Sequence, residues 1–96
     1  MFAAIRYYRT EPDSIESVVR RVKEGFVPFI REIPGFVAYF VLTPRPGEIV
    51  SVSVFEEQRN AEESNEKAEE WVRQNLSELL PAPDFADGEV VVYEAK

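Results

Sequence analysis

The apolar patterning of this chain predicts an α+β fold with its elements in the order β-α-β-β-α-β. Three observations predict it. Two segments repeat apolar residues at spacings of three and four, which is the helical period. Four shorter segments alternate or run apolar in the manner of strands. Six of the seven prolines and three of the four glycines fall between these segments, so the boundaries can be read from them.

Phe2 to Arg9 is the first strand, with Ala3, Ile5 and Tyr7 on one face and Phe2, Ala4, Arg6 and Tyr8 on the other. Thr10-Glu11-Pro12-Asp13-Ser14 supplies cap-type side chains and acids for the positive end of a helix dipole. Ile15, Val18, Val19, Val22, Phe26, Phe29, Ile30 and Ile33 then form one helical stripe, which Gly25 and Pro28 are expected to kink or break. Pro34-Gly35 suits a tight turn, with proline at the first central position and glycine at the second. Phe36 to Leu42 follows without a charge, a strand apolar on both faces that needs cover on both.

Thr43-Pro44-Arg45-Pro46-Gly47 connects a hairpin, and Ile49 to Phe55 returns with Val50, Val52 and Val54 on one face and Ile49, Ser51, Ser53 and Phe55 on the other. Asn60 is the expected cap of a second helix, with Asn65, Ala68, Val72, Leu76 and Leu79 inward and Trp71 and Leu80 flanking. Pro81-Ala82-Pro83 ends that helix, Phe85 is expected to anchor the loop, and Gly88-Glu89 opens a last strand over Val90 to Ala95. This order is the ferredoxin-like plan, a four-stranded antiparallel sheet with two helices on one face, here as a single domain over residues 1–96. Helices cover one side of such a sheet, yet these strands carry apolar groups on both. The expectation is a homodimer packed through the bare sheet face, because soluble monomers rarely leave an apolar face that large in water.

Composition excludes much chemistry. The 96 residues include no cysteine and no histidine. That removes disulfides, thiolate metal sites, a cysteine nucleophile, a histidine haem ligand and the Ser-His-Asp relay. A net charge of −7 argues against a nucleic-acid partner, which needs clustered Lys and Arg. Most of that charge lies between Glu56 and Glu70, where seven glutamates face only Arg59 and Lys67. Glu62, Glu66 and Glu70 share one helix face, which is read as a solvated face rather than a metal site. No run reaches the length of a membrane span and Met1-Phe2-Ala3-Ala4-Ile5-Arg6 does not read as a signal peptide, so the expectation is a cytoplasmic protein with no membrane partner.

Particular segments carry a resemblance. Phe26-Val27-Pro28-Phe29 leading to Ile33-Pro34-Gly35-Phe36-Val37-Ala38-Tyr39, then Ser51-Val52-Ser53-Val54-Phe55-Glu56 and Ala61-Glu62-Glu63-Ser64-Asn65-Glu66-Lys67-Ala68-Glu69-Glu70-Trp71-Val72, resemble the antibiotic biosynthesis monooxygenase superfamily. The resemblance implies a dimeric α/β barrel and the oxygenation of a small aromatic or quinol-type molecule with no cofactor and no metal. In that chemistry an electron-rich substrate anion itself reduces oxygen, while the protein supplies an apolar pocket and stabilises the anion. The haem-degrading branch pairs this fold with a histidine that is absent here. A non-catalytic homodimeric module that binds a small ligand, or is purely structural, is the competing reading, since a fold does not fix a function.

Asn65, Trp71, Tyr8 and Arg6 are the candidate site residues. Asn65 lies on the apolar stripe, where an amide needs a partner: a substrate oxygen, a backbone group or Ser64. Trp71 either stacks on an aromatic ligand or fills space between helix and sheet. Tyr8 offers a phenolic hydroxyl, as do Tyr7, Tyr39 and Tyr93, and two of the four are expected to line a cavity. Arg6 is a cation among apolar neighbours; pairing with Glu94 or Glu48 is expected, and orienting an anionic oxygen is the alternative. Ser51 and Ser53 have no histidine to activate them and are not read as nucleophiles.

Overall fold

A computed structural model describes residues 1–96. The chain forms strands β1 (Phe2–Arg9), β2 (Phe36–Leu42), β3 (Glu48–Phe55) and β4 (Asp84–Glu89), with helices α1 (Ile15–Arg21), α2 (Val27–Ile30) and α3 (Gln58–Asn75). The strands make one antiparallel sheet in the order β2-β3-β1-β4, the ferredoxin-like topology. Both helical layers lie on one face of the sheet.

The expected interruption of the first helix is a π-helical segment, Val22–Phe26, between α1 and α2. The Val27 amide reaches back five residues to the Val22 carbonyl. Pro28 follows as one of the first residues of α2, directly after the π-helical segment. The Pro34-Gly35 turn forms as expected: Gly35 has φ 79°, and Phe36 donates to Ile33 at 3.2 Å. Gly47, φ 81°, plays the same part before β3.

Three boundaries differ from the sequence reading. Asn60 is not the cap of α3; the helix begins at Gln58, and Asn60 packs against the Gly35 turn. α3 ends at Asn75 rather than at Pro81, because the chain turns on itself at Leu76, whose carbonyl accepts from Leu79 and Leu80. That turn buries Leu76 and Leu80 together with Tyr8, Val18 and Ile49. The last strand is Asp84–Glu89, not Val90–Ala95, and Phe85 lies within it, exposed, rather than anchoring a loop. Here pairing outweighs propensity. β4 runs beside β1 from Tyr7↔Asp84 to Phe2↔Glu89, and at Val90, which donates to Met1, β1 has run out.

The helix-facing side of the sheet has apolar ends and a polar middle. Ala4 and Phe55 join Phe26, Ile30, Ile33, Ala61 and Ala68 in one cluster, and Tyr8 and Ile49 belong to the other. Arg6, Ser51 and Ser53 lie buried between them. The opposite face carries Ile5, Tyr7, Val50, Val52, Val54, Phe40 and Leu42, with Ile5 43%, Phe40 51% and Leu42 45% exposed. It is the bare apolar face that the strand patterns imply. No helix is long and apolar enough to cross a membrane.

Candidate functional site

Strand alternation sends Arg6 and Tyr8 from β1, Tyr39 and Val41 from β2, and Ile49 and Ser51 from β3 toward the helices. There they form the floor of a cavity of about 330 Å³. Val18, Val19 and Val22 make one wall, and Ala68, Trp71 and Val72 of α3 make the other. Lys23, exposed, stands at the edge. Phe26 holds the aromatic wall together, with ring centroids 5.3 Å from Trp71 and 5.4 Å from Tyr39. The π-helical segment brings Gly25 under the indole, where an added Cβ would stand 2.9 Å from Trp71 Cζ2. Irregular helical turns of this type often border functional sites.

Arg6 dominates the electrostatics. It is 2% exposed, and each of its three nitrogens makes one bond: Nε donates to Ser51 Oγ at 3.0 Å, one terminal nitrogen to Asn65 Oδ1 at 2.8 Å and the other to Ser53 Oγ at 3.2 Å, which leaves a second N–H on each terminal nitrogen. All three partners are neutral. The expected pairing with Glu94 or Glu48 is not what the fold makes. Glu48 instead accepts from the Tyr7 hydroxyl and lies 3.8 Å from Arg45, and Glu94 lies beyond the sheet. The alternation explains why: Arg6 points to the helix side, whereas Tyr7 belongs to the other face. Desolvation lowers the Arg6 pKa, partly offset by the neighbouring Tyr39 and Tyr8 hydroxyls. Arg6 also borders a cleft that holds Glu62, Glu66, Glu69 and Asp87, but none of these carboxylates pairs with it, and a buried guanidinium without a paired carboxylate favours an anion that reaches it.

The two tyrosines answer in kind. Burial pushes the Tyr8 hydroxyl up to about 12, against the pull of Arg6. Burial also raises Tyr39, and Arg6 again opposes the shift. Both are therefore neutral hydrogen-bond donors at neutral pH.

Of the four candidates, Arg6, Tyr8 and Trp71 meet at the apolar cavity. Asn65 lies on the other side of Arg6, in an acidic cleft with Glu62, Glu66, Glu69 and Asp87. Its Oδ1 fixes the guanidinium, and its buried Nδ2 has no hydrogen-bond partner. Neither a backbone group nor Ser64 takes the amide; Ser64 instead bonds Ser53 and the Ala61 carbonyl. The sequence reading weighs Ser51 and Ser53 only as nucleophiles, and so misses that they hold Arg6. The signal is present in the shared face of Ser51 and Ser53, but the Arg6↔Ser51 register that uses it is non-local.

The fold recurs in known proteins. The fold is shared with a protein of unknown function from Nitrosomonas europaea, NE2512, at TM-score 0.77 and 15% identity, covering 99% of this chain and 93% of that one. It is also shared with a mutant of SnoaB, a cofactor-independent oxygenase from Streptomyces nogalater, at TM-score 0.70 and 16% identity over 99% and 97% of the two chains. The monooxygenase of ActVA-Orf6 from Streptomyces coelicolor, in complex with nanaomycin D, matches at TM-score 0.70 and 19% identity over 98% and 92%. No curated protein aligns significantly with the sequence. The family model for antibiotic biosynthesis monooxygenase matches residues 1–74, from β1 through nearly the whole of α3, and the chain belongs to that family.

Proposed function

We propose that the cavity binds a small, largely apolar aromatic molecule of quinol or anthrone type, with its acidic oxygen at Arg6, and that the protein oxygenates it without a cofactor. The observation that carries this reading is the buried Arg6, hydrogen-bonded only to neutral side chains, on the floor of a largely apolar cavity. A cation so placed lowers the pKa of a bound phenol or enol, and the anion is the electron-rich form that reduces oxygen. The overall step balances without an external reductant. For an anthrone, the CH₂ and one O₂ become a carbonyl and one water; for a quinol, a ring C–H and the two phenolic O–H groups with one O₂ become a hydroxyquinone and one water, so in each case the substrate supplies the electrons and takes one oxygen atom. Tyr8 and Tyr39 donate to the developing negative charge, and Trp71 with Phe26 packs the ring. Asn65 positions the guanidinium rather than touching the ligand. The bare sheet face, with Ile5, Phe40 and Leu42 toward solvent, supports a homodimer packed through that face.

A second reading has its own support. Among the buried cavity residues, Tyr8 and Tyr39 are held neutral and the lining includes no histidine and no carboxylate to serve as a general base. A non-catalytic module that binds a small aromatic anion has the same lining.

An oxygen electrode separates the two. Protein is tested with a panel of quinols and anthrones, alongside Arg6→Met and Trp71→Ala. Oxygenation predicts one O₂ consumed per substrate and at least a tenfold lower rate in Arg6→Met. Binding without oxygen uptake above buffer selects the second reading, and the absence of binding defeats both.

A further inference from the structure

The first helical run lines the cavity with two rows of side chains at spacings of four. Val18, Val22 and Phe26 form one row, and Val19, Lys23 and Val27 form the other. Val18 and Phe26 are buried, whereas Val19 is 37% exposed and Lys23 is exposed, so the second row is the rim. Lys23 thus stands where the rim positions a turn before and a turn after are valine. None of the chain's ion pairs includes it; the neighbouring Arg21 is taken by Glu78 at 2.6 Å.

The charge of this cavity runs against the charge of the chain. The sequence holds 18 acidic residues and a net charge of −7, yet no carboxylate lines the cavity. Its basic side chains are two, Arg6 on the floor and Lys23 at the rim, with apolar walls between them. An acidic ligand is repelled by most of the surface and attracted at this mouth. The rim does not resemble a phosphate site. Lys23 lies inside an unbroken helical run from Ile15 to Ile30, so no free backbone N–H groups of a helix start stand beside it. One lysine on its own suits a carboxylate.

From these observations we infer that the ligand is an aromatic acid: its phenol or enol oxygen meets Arg6 on the floor, and a carboxylate at the far end of its ring system meets Lys23 at the rim. The inference rests on the binding half of the reading above, an aromatic ring in the cavity with its acidic oxygen at Arg6, and names the class of molecule more narrowly. Lys23 is then a specificity-determining residue, which also fixes which end of the ligand enters first. A volume of about 330 Å³ lies at the lower end of the range of small-molecule sites, roughly 300–1,000 Å³, and suits a small fused ring system.

The test is calorimetric titration of the full chain with three probes. They are 2-naphthol; 6-hydroxy-2-naphthoate, whose carboxylate lies across the rings from the hydroxyl; and 3-hydroxy-2-naphthoate, whose two groups are side by side. All three are phenols rather than quinols, so binding is read apart from oxygenation. Lys23→Met keeps the apolar stem and removes the charge, and Lys23→Arg keeps the charge. Exposed ion pairs contribute modestly, which sets the expected advantage of 6-hydroxy-2-naphthoate over both other probes at about fivefold. That advantage is expected to vanish in Lys23→Met, to persist in Lys23→Arg and to shrink as salt is raised. Equal binding of 2-naphthol and 6-hydroxy-2-naphthoate, equal binding of the two naphthoates, or an advantage that survives Lys23→Met overturns the carboxylate site while leaving aromatic binding standing. Failure of all three probes to bind defeats the aromatic reading and this inference together.

Discussion

At the residue scale, Arg6 is the side chain on which stability and the proposed function part company. Burying a guanidinium among neutral partners is costly, and replacing such a charge with an apolar group of similar volume is often neutral or stabilising. Arg6→Met is therefore expected to hold or raise the thermal midpoint while weakening binding of a phenolate probe at least tenfold, measured by differential scanning fluorimetry and by titration. A large loss of stability would mean that the guanidinium is a structural keystone instead. Asn65→Ala removes the 2.8 Å bond from the guanidinium and is expected to cost about 1–3 kcal/mol in chemical denaturation, because a buried charged donor loses its acceptor. Tyr8 gives a pH signature. Its hydroxyl is raised from the ordinary value of 10.0 to about 12 in the folded chain. The folded state thus holds this proton more tightly than the unfolded state does, so stability is fully present below pH 10 and declines as pH rises from there toward 12. That difference corresponds to roughly 2–3 kcal/mol. Tyr8→Phe is expected to flatten that decline in urea denaturation followed across the same range, and an unchanged profile would count against it.

At the scale of elements, local chemistry and long-range pairing divide the work. Both Pro-Gly turns are local, and both form where the dipeptides stand. Gly47→Ala is expected to cost roughly 2 kcal/mol or more, since φ 81° is strained for a side chain and its Cβ would meet the Thr10 carbonyl oxygen at 2.6 Å. Equal stability in urea would rule that contact out. The break in the first helix is also legible, as Gly25 and Pro28, although its form as a π-helical segment seated under Trp71 is not. Element ends set by tertiary contacts are not legible. α3 stops at Asn75 because Leu76 and Leu80 turn back to pack on Tyr8 and Val18, and no cap residue announces this. Composition alone assigns the last strand to Val90–Ala95, yet β1 selects Asp84–Glu89 as its neighbour.

At the scale of the whole molecule, the two faces of the sheet have different fates. One is filled by helices around a cavity, and the other presents Ile5, Phe40 and Leu42 to solvent. Ile5→Glu combined with Phe40→Glu is expected to give a monomer by analytical ultracentrifugation with unchanged circular dichroism, because both side chains lie outside the core. A dimer that persists in this variant would relocate the interface.

The α+β order, the positions of the turns, the bare apolar face and the family are all written in the sequence. They follow from local periodicity and short motifs, which act between neighbours in the chain. Tertiary structure alone turns Arg6 from Glu48 to Ser51, Ser53 and Asn65, sets Asn65 and Trp71 on opposite sides of it, and leaves Val91 to Tyr93 outside the sheet. Each of those depends on strand register between segments more than forty residues apart, on how α3 packs across the sheet, or on where a neighbouring strand ends. A one-residue shift of register reverses every face, and nothing local specifies it.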